Sequence, residues 1–288
     1  MQLTTYDKVN MRKSITDSQF KITLKKIIHH PLMIAAGSKV TYKICRENKF
    51  KRVYRRPIIF CVNHTCFQDT PIICKSIGRQ AYILAGKQSL YPIDELFFKF
   101  NGSIFVDRKD KTDMALSKET MEEYLLRGQN LIVFPEGTWN LSDSLLMLEM
   151  KWGIIEIAQN TRAQIIPVSL DYDSEDMKCH IKFGEPIFAE KFKTKKEAIE
   201  HLRDTMSTLR WEQIERYGVV ERNEEFIAKA KNQRQKILAD YPLYDEEYEQ
   251  SLVFKSSESP EQVFEHIKKL VPKKENAFLF NKRNKGNV

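Results

Sequence analysis

Short apolar runs alternate with stretches of helical periodicity through the middle of this 288-residue chain. Runs rich in β-branched and aromatic residues predict strands, and stretches with apolar residues every three or four positions predict helices. The predicted strands are 57–62, 81–85, 103–106, 130–134, 164–170 and 179–183, and the predicted helices are 70–78, 112–127 and 149–160. This alternation predicts an α/β fold, a mainly parallel sheet covered by helices, with its chemistry at the carboxyl ends of the strands.

The segment from Asn63 to Asp69 directly follows the first predicted strand and contains a histidine and an aspartate, His64 and Asp69. A histidine held in one tautomer by a carboxylate is a general base. Asp69 and the two residues after it predict a helix start, with Asp69 or Thr70 as the cap and Pro71 in the first turn. His64 is therefore expected in a strand-to-helix loop. By itself this spacing also fits a loop histidine bonded to a nearby helix cap.

Three further blocks strengthen the functional interpretation, because they follow the first in a fixed order. The four blocks are Asn63–Asp69, Gly102–Arg108, Phe134–Thr138 and Ile165–Val168. In content and order they resemble the motifs of the glycerolipid acyltransferases that acylate lysophosphatidic acid and related acceptors. The resemblance covers roughly residues 30 to 215, and four ordered blocks are far more specific than one.

The resemblance implies a glycerol-phosphate acyltransferase-like fold and direct transfer of an acyl group from a thioester to an acceptor hydroxyl. Acyl-CoA or acyl carrier protein would be the donor, and no cofactor or metal is implied. The catalytic residues would be His64, as general base, and Asp69, which orients its ring. Cys66 stands beside His64, so a thiolate nucleophile is an alternative. We expect Cys66 instead to be a small packing residue.

The resemblance also implies a set of acceptor-binding residues: Arg108, Glu136, Gly137, Thr138 and Trp139. Arg108 would grip a phosphate in fork geometry, although by itself it fits a surface arginine paired with Asp107 or Asp110. Glu136 is expected to orient Arg108 or an acceptor hydroxyl. Many family members have an arginine where this chain has Trp139. Trp139 is therefore expected either to contact the substrate or simply to pack.

The chain divides into three parts by composition. Residues 1–45 form a basic amphipathic segment, 46–215 the acyltransferase core, and 216–288 a charged helical extension that ends in a basic tail. With a formal charge of +8 and Lys21, Lys25 and Lys26 among apolar residues, we expect an anionic membrane surface as partner, and no nucleic acid. The sequence contains no apolar run long enough for a spanning helix and no predicted signal peptide. Its five cysteines form no C-x-x-C pair, which indicates reduced thiols in a cytosolic compartment. Together with the basic charge, this predicts a peripheral protein on the cytoplasmic face of the membrane.

Two other classes of function remain open from the residues alone. One is a hydrolase of esters or phosphates that uses His64 and Asp69 on water; the chain lacks His or Asp partners at metal-ligand spacing for a metal-dependent version. The other is a non-catalytic binder of acidic surfaces, which would leave the His–Asp pair unexplained.

Overall fold

The computed structural model describes residues 16–37, 40–53, 55–86, 90–142, 146–218, 220 and 223–251. Eight strands form one sheet: β1 (Lys43–Arg46), β2 (Ile58–Val62), β3 (Tyr82–Gly86), β4 (Ser103–Val106), β5 (Leu131–Val133), β6 (Gln164–Asp173), β7 (Lys178–Phe183) and β8 (Ile187–Phe188). The helices are α1 (Gln19–Gly37), α2 (Asp69–Ile77), α3 (Pro92–Asn101), α4 (Lys111–Leu126), α5 (Gly153–Thr161), α6 (Lys195–Ile214), α7 (Glu224–Asp240) and α8 (Glu246–Gln250).

The sheet is mainly parallel, which confirms the predicted fold class. Its order is β1-β7-β6-β2-β5-β3-β4, with β8 also paired to β6. Only the pairs that β6 forms with β7 and β8 are antiparallel. All five residues of β2 are buried, because β2 lies in the middle of the sheet between β5 and β6. A strand covered on both faces is expected to be apolar throughout, as the 58–62 run is.

Two apolar clusters, one on each face of the sheet, form the core. On one face, side chains of β2 and β6 pack with Met33 of α1, Ile73 of α2 and Phe98 of α3. The other face packs mainly against α4, α5 and α6. The carboxyl ends of β2, β3, β4 and β5 meet at one edge of the sheet, because these strands run in parallel. The loops that follow them are thereby gathered at that edge.

β1, α3 and the short strand β8 were not predicted from the sequence. β1 has only two apolar residues between charged neighbours, and it forms only by pairing with β7. α3 does have an amphipathic pattern, with Ile93, Leu96, Phe97 and Phe100 on one face, and it exposes Ile93, Leu96 and Phe100. Because Lys43–Arg46 belongs to the sheet, the predicted boundary between the segment 1–45 and the core falls within β1.

Both terminal segments contain helices within the residues that the structure describes. The basic amphipathic segment is α1, while residues 1–15 lie outside the described ranges. Helices α7 and α8 form the predicted helical extension; the basic tail lies beyond the described residues. None of the helices in the described ranges combines the length and the apolar character needed to cross a bilayer.

Candidate active site

The His64 loop is built around the carboxylate of Asp69. Asp69 is the first residue of α2, and the cap position before it is Gln68, whose side chain makes no capping bond. The expected Asp69 or Thr70 cap is therefore not formed. Instead the Asp69 carboxylate turns back to the loop, and its Oδ2 accepts hydrogen bonds from the backbone N–H groups of Thr65 (2.5 Å) and Cys66 (2.9 Å). These bonds hold the loop in one conformation.

The predicted pair of His64 and Asp69 is in contact. His64 Nδ1 lies 2.8 Å from Asp69 Oδ2, and the Asp69 side chain is fully buried. A carboxylate accepts hydrogen bonds, so Nδ1 carries the proton and Nε2 is left as the basic nitrogen. The geometry is that of a histidine oriented by a buried carboxylate, the arrangement found in His-dependent acyl transfer.

Sequence reasoning missed two residues that hold this pair in place, Asn63 and Tyr172. Tyr172 in β6 donates its hydroxyl to Asp69 Oδ1, which satisfies the second carboxylate oxygen. The fully buried Asn63 side chain accepts from the Leu170 N–H at 2.7 Å and donates to the Leu170 carbonyl at 3.0 Å. The end of β2 is thus tied to β6. In the sequence, only the position of Asn63 directly before His64 pointed to this supporting role.

Glu136 also supports the loop; it was expected to orient Arg108 or an acceptor hydroxyl, but both of its carboxylate oxygens bond to backbone amides instead. It is 2% exposed; its Oε1 accepts from the His64 N–H (2.9 Å) and its Oε2 accepts from the Leu148 N–H (2.7 Å). Burial raises the pKa of this carboxyl to about 7, although the two amide donors act in the opposite direction. Because both oxygens are bonded to backbone amides, Glu136 positions the backbone of the candidate base.

The His64 ring is fixed by aromatic neighbours as well. It stacks on Phe134 with ring centroids 4.0 Å apart, and Trp139 meets it edge-on at 6.0 Å. Trp139 is 4% exposed and stacks in turn on Tyr244, with centroids 3.9 Å apart. Trp139 therefore lines the site and packs at the same time.

Cys66 lies close to the pair, but its environment opposes a thiolate. Its Sγ is buried and lies 3.8 Å from Asp69 Oδ1. Burial, and then the charge of Asp69, raise the pKa of the Cys66 thiol well above its usual range. A nucleophilic cysteine requires the opposite shift.

We therefore expect Cys66→Ala to retain acyl transfer within a few-fold of the parent protein. The only change should be a small loss of stability, on the order of 1 kcal/mol, from the lost packing of a buried thiol. Initial rates and thermal unfolding of both proteins check this. A loss of activity as deep as that of a His64 variant would restore the cysteine-nucleophile interpretation.

Arg108 lies on the same edge of the sheet, two residues beyond β4. Its guanidinium donates a hydrogen bond to the Gly137 carbonyl and forms a bidentate ion pair with the Glu249 carboxylate. Gly86, at the end of β3, makes room for it, because a Cβ there would lie 2.7 Å from Arg108 Cζ. Gly137 adopts a positive φ of 78°, a conformation that favours glycine. Arg108 is thus paired with neither Asp107 nor Asp110.

Two cavities meet at His64. The first, of about 290 Å³, is lined by Arg108, Gly137, Thr138, Trp139 and Lys151 and continues between apolar side chains that include Met114, Met121 and Ile157. The second, of about 540 Å³, lies between α1 and α3 and is lined mostly by apolar side chains such as Leu32, Phe97 and Tyr241. Of the seven site residues predicted from the sequence, all line a cavity except Asp69 and Glu136.

Within the described part of the chain, no cluster of three or more His, Cys, Asp or Glu side chains is arranged to bind a metal ion.

Comparisons with known proteins agree with this geometry. Residues 43–171 match the family described as Acyltransferase. A probable 1-acyl-sn-glycerol-3-phosphate acyltransferase of Mycoplasma genitalium is 29% identical over 125 residues, which are 42% of this chain and 46% of that protein. A lyso-ornithine lipid O-acyltransferase of Pseudomonas aeruginosa is 25% identical over 41% of this chain and 44% of its own length. A 1-acyl-sn-glycerol-3-phosphate acyltransferase of Saccharomyces cerevisiae is 26% identical over 50% and 46%.

The matched region is limited to part of each relative: the chain spans about half the length of the curated relatives it matches. Among solved structures, the 1-acyl-sn-glycerophosphate acyltransferase of Thermotoga maritima is similar in fold, with a TM-score of 0.56, 18% identity, and coverage of 73% of this chain and 89% of that one. His64, Asp69, Arg108, Glu136 and Trp139 lie inside the matched segment 43–171, whereas Tyr244 and Glu249 lie outside it. Residues 43–171 are thus similar to the family described as Acyltransferase, and the fold is similar to that of a 1-acyl-sn-glycerophosphate acyltransferase.

Proposed function

We propose that this protein is an O-acyltransferase that moves a fatty acyl group from a thioester to a hydroxyl of a lysophosphatidic-acid-like or related glycerolipid acceptor. The donor would be acyl-CoA or acyl carrier protein. His64 is the general base, and Asp69 orients it and stabilises the imidazolium. The relatives' names support the lipid acceptor, since two of them act on 1-acyl-sn-glycerol-3-phosphate or lyso-ornithine lipid.

The observation that carries the proposal is the meeting of two cavities at a single base. His64 lines both, one beside Arg108 and Lys151, the other between apolar side chains of α1 and α3. A transferase must bring two substrates to one histidine, whereas a hydrolase needs only one substrate and water. The basic cavity suits the acceptor's head group, and the apolar cavity suits an acyl chain.

The proposed reaction follows from the tautomer of His64. With Nδ1–H donating to Asp69, Nε2 removes the proton of the acceptor hydroxyl as its oxygen attacks the thioester carbonyl carbon. The new C–O bond forms, the C–S bond breaks, and the proton passes from Nε2 to the departing sulfur. The substrate's hydroxyl takes the part that a serine plays in a triad, so no protein nucleophile is required.

A thioester-release assay, run with and without acceptor, tests this function against its two alternatives. Transfer requires acceptor and yields an acylated lipid, which mass spectrometry identifies. Hydrolysis would release thiol equally without acceptor, and a non-catalytic binder would release none. Either of the last two results would contradict the proposed function.

We further propose a peripheral position on the cytoplasmic face of an anionic membrane. α1 and α3 pack against each other and expose large apolar side chains: Phe20, Leu24, Ile27 and Ile34 from α1, and Ile93, Leu96 and Phe100 from α3. Clustered exposed apolar groups are typical of an interaction surface. The second cavity lies between these two helices, so a bilayer in contact with them would be adjacent to it.

Charge should add to this binding, but not through all three lysines of the segment. Lys25 is paired internally with Asp17 at 2.7 Å, whereas Lys21 and Lys26 are exposed. We expect changing Lys21 and Lys26 to Glu to weaken binding to vesicles containing phosphatidylserine, and raised salt to do the same, since charges are screened beyond about 8 Å at physiological ionic strength. A double variant with Glu at the exposed Lys193 and Lys196 has the same net charge and should bind like the parent. Vesicle co-sedimentation measures both; equal weakening by the two variants would rule out α1 as the anchor.

A further inference from the structure

The segment Tyr241–Ser251 covers the basic side of the His64 site. Tyr244 stacks on Trp139 with an interplanar angle of 9°, and its hydroxyl lies 2.9 Å from Thr138 Oγ1. Tyr241 stacks on Phe67 with ring centroids 4.9 Å apart. The segment is thus held by contacts to the His64 loop and to the loop after β5, and both Tyr244 and Glu249 line the first cavity.

Glu249 forms a bidentate ion pair with Arg108. Its two carboxylate oxygens contact the two terminal nitrogens of Arg108, one pair at 3.0 Å, and the Glu249 and Arg108 side chains are 5% and 11% exposed. A guanidinium binds a carboxylate and a phosphate in the same fork geometry. The ring of Tyr248 lies beside this pair, with Lys109 Nζ 4.4 Å from its centroid. Arg108 is therefore already occupied by an anion of the chain itself.

We propose that Glu249 is a specificity-determining residue of the acceptor site: its carboxylate takes the place of an acceptor's phosphate on Arg108, so that the site selects acceptors with an uncharged head group. This inference rests on the proposed function and narrows its acceptor class. A phosphorylated acceptor must first break the ion pair, and it binds more weakly for that reason.

The charges around the cavity support this selection. Arg108, Lys118 and Lys151 are its basic residues; Lys118 is paired with Glu156 at 2.9 Å, and Glu249 opposes the other two. Lys151 lines the same cavity as Arg108 and Glu249. Partial burial and the charge of Arg108 lower the pKa of Lys151, while the charge of Glu249 raises it. Two cations would match a phosphate monoester, which carries about −1.5 to −2 charges at neutral pH. With Glu249 in place, the excess positive charge falls to about one, and a dianion would lie against a carboxylate.

Trp139 links the covering segment to the main departure of this chain from its relatives. Where many family members carry an arginine, Trp139 instead provides the flat surface on which Tyr244 stacks. This stack holds the segment that carries Glu249 over the cavity, so it keeps the internal anion beside Arg108.

Binding of glycerol 3-phosphate to the full-length protein, measured by isothermal titration calorimetry, tests the charge of Glu249 without requiring turnover. We expect Glu249→Gln, which keeps the shape but removes the charge, to tighten binding by about tenfold, a change that corresponds to about 1.4 kcal/mol. Glu249→Asp keeps the charge and should bind as weakly as the parent. Glu247→Gln removes an exposed carboxylate from the same helix and serves as the matched control. Unchanged binding by Glu249→Gln, or equal tightening by Glu247→Gln, would overturn the proposal.

Transfer kinetics with lysophosphatidic acid and with an uncharged monoacylglycerol test selection itself. Glu249→Gln should lower KM for lysophosphatidic acid by about tenfold and leave the monoacylglycerol KM within a few-fold, because only the first must displace the carboxylate. An equal gain with both acceptors would overturn the proposal and make the segment a general lid. If no variant transfers an acyl group but Glu249→Gln still binds glycerol 3-phosphate more tightly, the proposed function fails while the role of Glu249 at the anion site stands.

Discussion

Replacing His64 by alanine is expected to lower acyl transfer by ~10⁴-fold, because it removes the general base while leaving the rest of the site in place. The ring makes one side-chain hydrogen bond, to Asp69, and lies against Phe134 at the wall of two cavities. The loop is also held by hydrogen bonds between backbone groups and the side chains of Asn63, Glu136 and Asp69. These bonds do not involve the imidazole. Initial rates of thiol release in the presence of acceptor measure the loss.

The control for this variant is a histidine elsewhere in the sheet. His180 in β7 is half-buried, and its Nδ1 lies 3.8 Å from Glu47 Oε1. It lines neither of the two cavities. His180→Ala should transfer at a rate close to that of the parent. Circular dichroism and thermal unfolding establish that both variants are folded. A folded His64→Ala protein with undiminished turnover would contradict the mechanism as a whole.

Asp69→Asn is expected to lower transfer by between roughly 10²- and 10⁴-fold, since an amide cannot stabilise the imidazolium and can set the ring in the wrong tautomer. Asp69 is fully buried and accepts from the N–H groups of Thr65 and Cys66, from His64 and from the Tyr172 hydroxyl. The amide oxygen of Asn can replace Oδ2, and its NH₂ group can donate to the Tyr172 oxygen. The loop can therefore persist while the charge is lost.

Tyr172→Phe separates the charge of Asp69 from its hydrogen bonding. This variant removes one donor to Asp69 Oδ1 but keeps the carboxylate and its contact with His64. We expect a loss on the order of tenfold or less, because a single hydrogen bond to a charged group contributes about 1.5–3 kcal/mol, part of it to stability alone. If Tyr172→Phe were as inactive as Asp69→Asn, Asp69 would act mainly through the placement of its carboxylate. Stabilisation of the His64 imidazolium by its charge would then be the smaller effect.

The proposed acceptor specificity rests on Trp139 and on the segment Tyr244–Glu249. Trp139 stacks on Tyr244, and Glu249 forms an ion pair with Arg108. Trp139→Arg alone is not expected to restore phosphate binding. The new cation would replace a side chain that is 4% exposed and would remove the support of Tyr244.

Local sequence determined the parts of this protein that depend on short-range order. The buried strand β2, the loop after it and the helix that starts at Asp69 follow one another within twenty residues, so the contact of His64 with Asp69 was predictable. The mainly parallel sheet was predictable as well, because alternating strands and helices leave few other arrangements. Arg108 and Gly137 were located by their positions after β4 and β5.

Tertiary structure alone decided which distant residues complete the site. Tyr172 is 103 residues from Asp69, and Glu249 is 141 residues from Arg108. Glu136 turned out to bond the His64 backbone because β2 and β5 are neighbours in the sheet, a pairing that no periodicity along the chain records. β1, with two apolar residues, became a strand only through its pairing with β7. Hydrophobic period and turn chemistry act over a few residues, whereas these contacts depend on how the whole chain packs.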